Sequence, residues 1–321
     1  MVVKKVGHID FSVGLNENLY FLKFYFIKME FLREKYLLLL RDAISDALFE
    51  IPVEDNKKVY PETIALGKIW PSKAVSMLGL ARLNNIKALL DKVLIDNIPG
   101  DFLEAGVWRG GACIYAKGIL DSWGDNIRQV IVADSFEGLP PPDPKKYPVD
   151  NGDLHHTIEC LAVSEGEVRN NFVRFGLLDD RVKFIKGFFN ESFKKPLPFE
   201  NLSVLRLDGD MYSSTIETLE ALYDKVSVGG YIIIDDYVQR QSVSAAVTDF
   251  RQVRGISDHI NVVDWSAVWW QKSNRDKDLP EDFSWEKYLT LNPDLVKVFG
   301  NNKNAVIRHW IDYGRKEGRA Y

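Results

Sequence analysis

Val204-Leu-Arg-Leu-Asp208-Gly-Asp210 is a short apolar run, rich in branched residues, that ends in two acids; Tyr231-Ile-Ile-Ile-Asp235-Asp236 repeats the pattern downstream. Runs of this length beside turn signals suit strands buried on both faces of a parallel sheet. Carboxylates at the carboxyl ends of such strands converge where open α/β sheets bind ligands. Four acids crowded there repel one another and raise each other's pKa unless a cation neutralises them, and a hard divalent ion held by oxygens does that. Taken singly, such acids are as often turn formers or helix N-caps. Two clusters at equivalent strand ends point to a site.

Working outward from these two runs, strand and helix patterns alternate, as in a parallel sheet with crossover helices. Strands are expected at 101–107, 129–135, 181–186, 202–207 and 231–234, and helices at 111–123, 159–175, 213–226 and 242–254. The runs 259–264 and 267–271 are separated only by Trp265-Ser266, too brief a link for parallel strands, so they are expected to form an antiparallel hairpin at one edge. Ahead of the sheet, 71–94 reads as a helical region and Glu54-Asp-Asn-Lys-Lys58 as a loop; beyond it, 272–282 reads as a charged linker, followed by two short helices at 285–299 and 305–313. Three parts are therefore expected: an N-terminal helical extension at 1–60, the sheet-bearing domain at 61–272, and a small C-terminal helical module at 283–321.

The bulk numbers narrow the partners. At 321 residues, 46% of them apolar, the chain can bury a full core with appendages, and a net charge of -5 gives no support to bulk binding of nucleic acid or anionic membrane. The apolar stretch 19–40 carries Lys23, Lys28, Glu30, Arg33, Glu34 and Lys35, and charges near the middle of a membrane span cost about 2.5 to 3.5 kcal/mol each. An amphipathic helix packed on the body or on a second copy is the better reading, leaving a homo-oligomer open. Cys113 and Cys160 are the only cysteines, so neither a disulfide framework nor a cysteine metal site is expected. A reducing, cytoplasmic location fits.

The first expected strand ends in Glu104-Ala-Gly106-Val-Trp-Arg109-Gly110-Gly111 and runs into a helix. Glycines there allow a sharp turn and close approach to a ligand, but the spacing is not the dinucleotide G-x-G-x-x-G. Glu104 suggests a cationic group in the ligand, and Asp134, ending the second strand, is placed to accept from ribose hydroxyls. Together they favour an adenosine-containing ligand without phosphates, and S-adenosylmethionine fits.

Glu104-Ala-Gly-Val-Trp-Arg-Gly-Gly-Ala-Cys113, Val132-Ala-Asp-Ser-Phe-Glu-Gly-Leu-Pro140, Leu205-Arg-Leu-Asp-Gly-Asp-Met-Tyr212 and Gly229-Gly-Tyr-Ile-Ile-Ile-Asp-Asp-Tyr237 resemble the macrocin O-methyltransferase (TylF-type) family. The resemblance covers about 69–270 and implies a Rossmann-like class I methyltransferase sheet in an α/β fold, flanked by helices. It also implies methyl transfer from S-adenosylmethionine to a sugar hydroxyl with Mg2+, the metal being held by Asp208, Asp235 and Asp236, with Asp210 behind them. Cofactor contacts are expected from Glu104, Gly106, Arg109, Gly110, Asp134, Ser135, Phe188 and Asp208. His156, in the long loop before Leu161-Ala-Val-Ser164, matches the family's acceptor-site histidine, its register open by one because His155 precedes it; it and Asp208 are the candidate bases. Met77 and 78–83 line the acceptor pocket by resemblance, whereas periodicity alone makes them core. Arg206, inside a strand, is expected to pair with an acid.

The segment from Trp285 to Arg319 resembles a helical module appended to proteins that handle surface polysaccharides, which favours a surface or exported glycan as acceptor. A macrolide-type glycoside, a catechol-type acceptor, and a non-catalytic scaffold with a methyltransferase fold are the alternatives.

Overall fold

Seven strands form one sheet: β1 (Asp101–Ala105), β2 (Val130–Asp134), β3 (Val182–Lys186), β4 (Leu202–Leu207), β5 (Val226–Ile234), β6 (Asn261–Val262) and β7 (Val268–Gln271). Their spatial order is β3-β2-β1-β4-β5-β7-β6. The first five run parallel, while β7 is antiparallel to both β5 and β6, as the brief link at Trp265-Ser266 requires. This computed structural model describes residues 15–48, 61–71, 73–273, 280 and 282–321. The loop expected at 54–58 and most of the linker expected at 272–282 lie outside the described residues.

Helices cover both faces. On one lie α1 (Leu15–Ile44), α3 (Leu80–Ile95), α4 (Gly111–Ser122) and α5 (Glu165–Arg174); on the other lie α7 (Tyr212–Leu222) and α8 (Gln241–Arg254). Short helices α2 (Pro61–Ala65) and α6 (Phe189–Ser192) flank the ligand end. Successive strand residues serve alternate cores, Phe102 and Val204 the first, Leu103 and Leu205 the second. All six residues of β4 are buried, as the opening reading expects for a strand covered on both sides. Because α4 follows β1 on one face and α7 follows β4 on the other, the chain reverses direction across the sheet between β1 and β4. A crevice opens there at the carboxyl ends.

Several boundaries differ from the sequence reading. The helix expected from 71 begins only at Leu80, because Gly79 lies against the α2 turn; a Cβ on Gly79 would sit 2.6 Å from the Leu66 carbonyl carbon. The helix expected at 159–175 starts at Glu165, where Ser164 Oγ accepts from the Glu167 amide at 3.2 Å, so Cys160 is exposed and outside it. Strand β5 begins at Val226, its register to β4 jumping from Leu202↔Val226 to Val204↔Tyr231 around Gly229 and Gly230. The helix expected at 285–299 is two, α9 (Trp285–Leu291) and α10 (Pro293–Phe299), because Pro293 cannot continue the first. A last helix, α11 (Lys303–His309), continues into a wide turn at Trp310–Gly314.

The appendages differ in kind. Leu37, Leu40 and Ile44 of α1 join the core around α3 and α4, so a boundary at residue 60 cuts through one packing unit, whereas Met29, Leu32 and Leu39 on another face of α1 are exposed. The C-terminal helices enclose a separate core of Tyr288, Leu289, Leu295, Val306 and Trp310. Among the described residues, no helix is long and apolar enough to cross a membrane.

Candidate active site

A cleft of about 740 Å³ follows the carboxyl ends of β1, β2, β4 and β5. Of the expected cofactor residues, Gly106, Asp134, Ser135, Phe188 and Asp208 line it; Glu104, Arg109 and Gly110 do not. Gly106 has φ +88, and a Cβ there would lie 1.9 Å from the Asp208 carbonyl oxygen, so this glycine lets the ends of β1 and β4 meet. Asp134 Oδ2 accepts from the Val107 amide and Oδ1 from the Phe136 amide, both at 2.8 Å, which aims its carboxylate across the β1 turn. Ser135 Oγ donates to the Gly138 carbonyl at 2.6 Å and shapes the start of the long loop.

The three residues off the wall are structural. Glu104 is buried and accepts from Arg206 Nη1 and, at 2.9 Å, from Cys113 Sγ, so its cationic partner within the protein is Arg206. Arg109 Nη1 donates to the Ala74 carbonyl at 2.9 Å and its guanidinium lies 4.2 Å from the Trp108 ring. Gly110 is left-handed at the start of α4, where a Cβ would stand 2.8 Å from Val168 Cγ1.

The metal candidates converge as expected: one oxygen each from Asp208, Asp235 and Asp236 lie within 4.8 Å of one another. Two buried guanidiniums hold Asp235, Arg82 Nη1 meeting Oδ1 at 2.8 Å and Arg206 Nη2 meeting Oδ2. Arg206 also reaches Asp208 Oδ2 at 3.0 Å, so its expected acid partner is three acids. Burial alone would raise the Asp235 carboxyl, but Arg82 and Arg206 outweigh it and hold it below the usual range. The others go up. Burial, then the Asp235 charge, pushes Asp208 well above the carboxylate range and Asp236 to about 8. Burial and the Asp208 charge bring Asp210 to about 6. The guanidiniums thus keep Asp235 ionised, while Asp208, Asp210 and Asp236 are too crowded to ionise together without a further cation, a donor set that fits a hard divalent ion. Asp210 and Asp236 both have positive φ, +60° and +57°, a left-handed backbone that is uncommon outside glycine.

The two loop histidines are placed differently. His156 is exposed and does not line the cleft, while His155 does. Arg240 Nη1 meets His155 Nε2 at 2.9 Å, and a guanidinium can only donate, so Nε2 accepts and the ring proton sits on Nδ1, 3.0 Å from Asp153 Oδ1. Both ring nitrogens are thus engaged. Arg240 also donates from Nη2 to Asp153 Oδ2 and from Nε to the Asp210 carbonyl, each at 2.7 Å. It ties the long loop to the β4 end.

The sequence reading did not name Arg240, Trp70 or Trp265 as cleft residues, though all three line it; of 77–83, Met77, Leu78 and Arg82 are on the wall. Arg240 stands four residues beyond Asp236 at the start of α8, a spacing that marks it only once the turn is known. Arg82 sits on an amphipathic helix where periodicity points to core, and it is buried there, but against Asp235 and Asp264.

Sheet order, crevice and acid cluster together define a class I methyltransferase. The chain belongs to the macrocin O-methyltransferase (TylF) family, whose pattern it matches over residues 36–272, and is an O-methyltransferase. It is 45% identical over 208 residues to the demethyldecarbamoylnovobiocin O-methyltransferase of Streptomyces niveus, covering 64% of this chain and 79% of that one. It is 41% identical over 244 residues to the 8-demethyl-8-(2,3-dimethoxy-alpha-L-rhamnosyl)-tetracenomycin-C 4'-O-methyltransferase of Streptomyces olivaceus, covering 74% and 93%. The solved structure of the O-methyltransferase NovP superposes with a TM-score of 0.72 at 41% identity, over 75% of this chain and all of NovP.

Proposed function

We propose that this enzyme transfers the methyl group of S-adenosylmethionine to a sugar hydroxyl of a glycosylated small molecule, with Mg2+ held by Asp208, Asp235 and Asp236. One observation carries the reading: Asp208 and Asp236 line the same cleft as Gly106 and Asp134, with Asp235 buried beside them and within 4.8 Å of both. The relative whose name includes a rhamnosyl group supports a sugar as the acceptor. A surface or exported glycan rests on the C-terminal segment alone, none of whose residues line the cleft.

In this reading Asp134 accepts from the ribose hydroxyls and Phe188 covers the adenosine. The O–C bond forms as the S–C bond breaks in line, and holding the two reactants in that geometry supplies much of the acceleration. Mg2+, when bound, polarises the acceptor hydroxyl and favours its ionised form. Asp210 receives the hydroxyl proton: it lines the cleft beside the triad, whereas His156 is off the wall and both nitrogens of His155 are engaged. Arg82 and Arg206 orient Asp235 from behind.

The test uses purified protein, methyl-labelled S-adenosylmethionine, Mg2+ and a panel of rhamnosides, catechols and polysaccharides. Label on a sugar oxygen of a small glycoside is the expected result; label on catechol alone, or on polysaccharide alone, sinks the reading. Asp235→Ala with Asp236→Ala should abolish metal-dependent turnover and weaken Mn2+ binding while S-adenosylhomocysteine still binds.

A further inference from the structure

Trp70 is the one exposed tryptophan of eight, 52% accessible on the cleft wall. Among the described residues its indole has no hydrogen-bond, ring or cation partner. Leaving so large an apolar ring in water forgoes much of the burial it offers. Trp265, also on that wall, is already committed: its Nε1 donates to the Leu66 carbonyl at 2.7 Å, and Lys68 Nζ and the Arg82 guanidinium lie 5.7 and 5.5 Å from its ring.

The segment bearing Trp70 is fixed to the acid cluster. The Leu66, Gly67 and Lys68 amides donate back into the α2 turn, to Glu62, Ile64 and Thr63, at 2.9 to 3.0 Å. Arg82 donates from Nη2 to the Gly67 carbonyl at 3.2 Å and from Nη1 to Asp235 at 2.8 Å. Gly67 itself is pinned by fit, because a Cβ there would lie 2.3 Å from the Gly79 nitrogen. Three residues span at most about 10 Å, so Trp70 stays within that reach of Gly67, on the cleft wall it shares with Asp208 and Asp236.

We propose that Trp70 is an acceptor subsite that stacks the apolar face of the ring attached to the methylated sugar, so that glycosides carrying a second ring are preferred to simple monosaccharide glycosides. The subsite rests on the methylation reading for the identity of the ring beside Asp208. Its chemistry is a flat face of C–H or π character without charge, supplied by either a second pyranose or an aromatic aglycone. Lys68 and Arg82 do not compete for the ring, being held near Trp265.

The experiment titrates the S-adenosylhomocysteine-loaded full chain, with Mg2+, with methyl rhamnopyranoside, 4-nitrophenyl rhamnopyranoside and a rhamnosyl disaccharide, and follows binding by calorimetry. The wild-type protein should bind at least one two-ring glycoside roughly three- to tenfold more tightly than the methyl glycoside, Trp70→Ala should collapse that ratio toward one, and Trp70→Phe should keep most of it. The arm that shows the preference identifies the second ring as sugar or aryl. Equal binding of all three, binding of neither two-ring glycoside, or a preference that survives Trp70→Ala overturns the subsite. Methyl transfer measured on the same acceptors is read separately: a Trp70-dependent preference without transfer keeps the subsite and sinks the methylation reading.

Discussion

Arg206 on β4 and Glu104 on β1 are register partners across the switch point, and their side chains meet as a buried ion pair under the floor of the cleft. The same guanidinium reaches Asp208 and Asp235, so one side chain, 1% exposed, balances three acids.

Replacing Arg206 by Met takes the guanidinium away from Glu104 and Asp208 and leaves Asp235 with Arg82 alone. A loss of about 3 to 5 kcal/mol in unfolding free energy is expected, read from urea midpoints at constant m-value. Lys at this position should recover only part of it, because an ammonium cannot span three carboxylates as a planar fork does. A Met variant within about 1 kcal/mol of wild type means the network is worth no more than a surface pair.

Gly106→Ala tests the close approach of β1 and β4. The substitution meets a left-handed φ and the Asp208 carbonyl oxygen together, and the two effects should cost at least about 2 kcal/mol. Because the strand ends must part, S-adenosylhomocysteine affinity should fall with stability. Normal affinity in a destabilised variant would separate the turn from the cofactor site.

Arg240→Met should release the long loop from the β4 end. The expected signature is faster amide exchange across 150–158, with kcat/KM down about tenfold or more and little change in the thermal midpoint. Unchanged exchange in that segment contradicts the tether.

Asp153 offers a pH test. Burial would raise its carboxyl, but the His155 amide and ring and the Arg240 guanidinium outweigh burial and hold it below the usual value of 3.8. A lowered folded-state pKa gives stability that is present above the unfolded value and lost as pH falls through the folded one. The stability advantage of wild type over Asp153→Asn should therefore be constant above about pH 5 and shrink on acidification below the ordinary Asp value. A gap that widens in acid reverses the sign and the assignment.

Much of this was legible in the chain because the relevant patterns are local. Acid-tipped apolar runs placed Asp208, Asp235 and Asp236 at strand ends, and a two-residue link forced β6 and β7 to be antiparallel. What failed depended on partners distant in sequence. Glu104 reads as a ligand contact until Arg206, 102 residues away, is seen beside it. The histidine register could not be settled from His155-His156 because the choice is made by Arg240, 85 residues downstream. Trp70 carries no pattern in the sequence; its reading comes from its exposure on the cleft wall.

The C-terminal helices close around Tyr288 and Trp310 and share no buried residue with either face of the sheet. Opening such a unit exposes none of the residues buried on either face of the sheet. At under forty residues it sits near the size where a lone core is marginal, so it should melt as a separate, earlier transition and behave as a cassette carried by the enzyme.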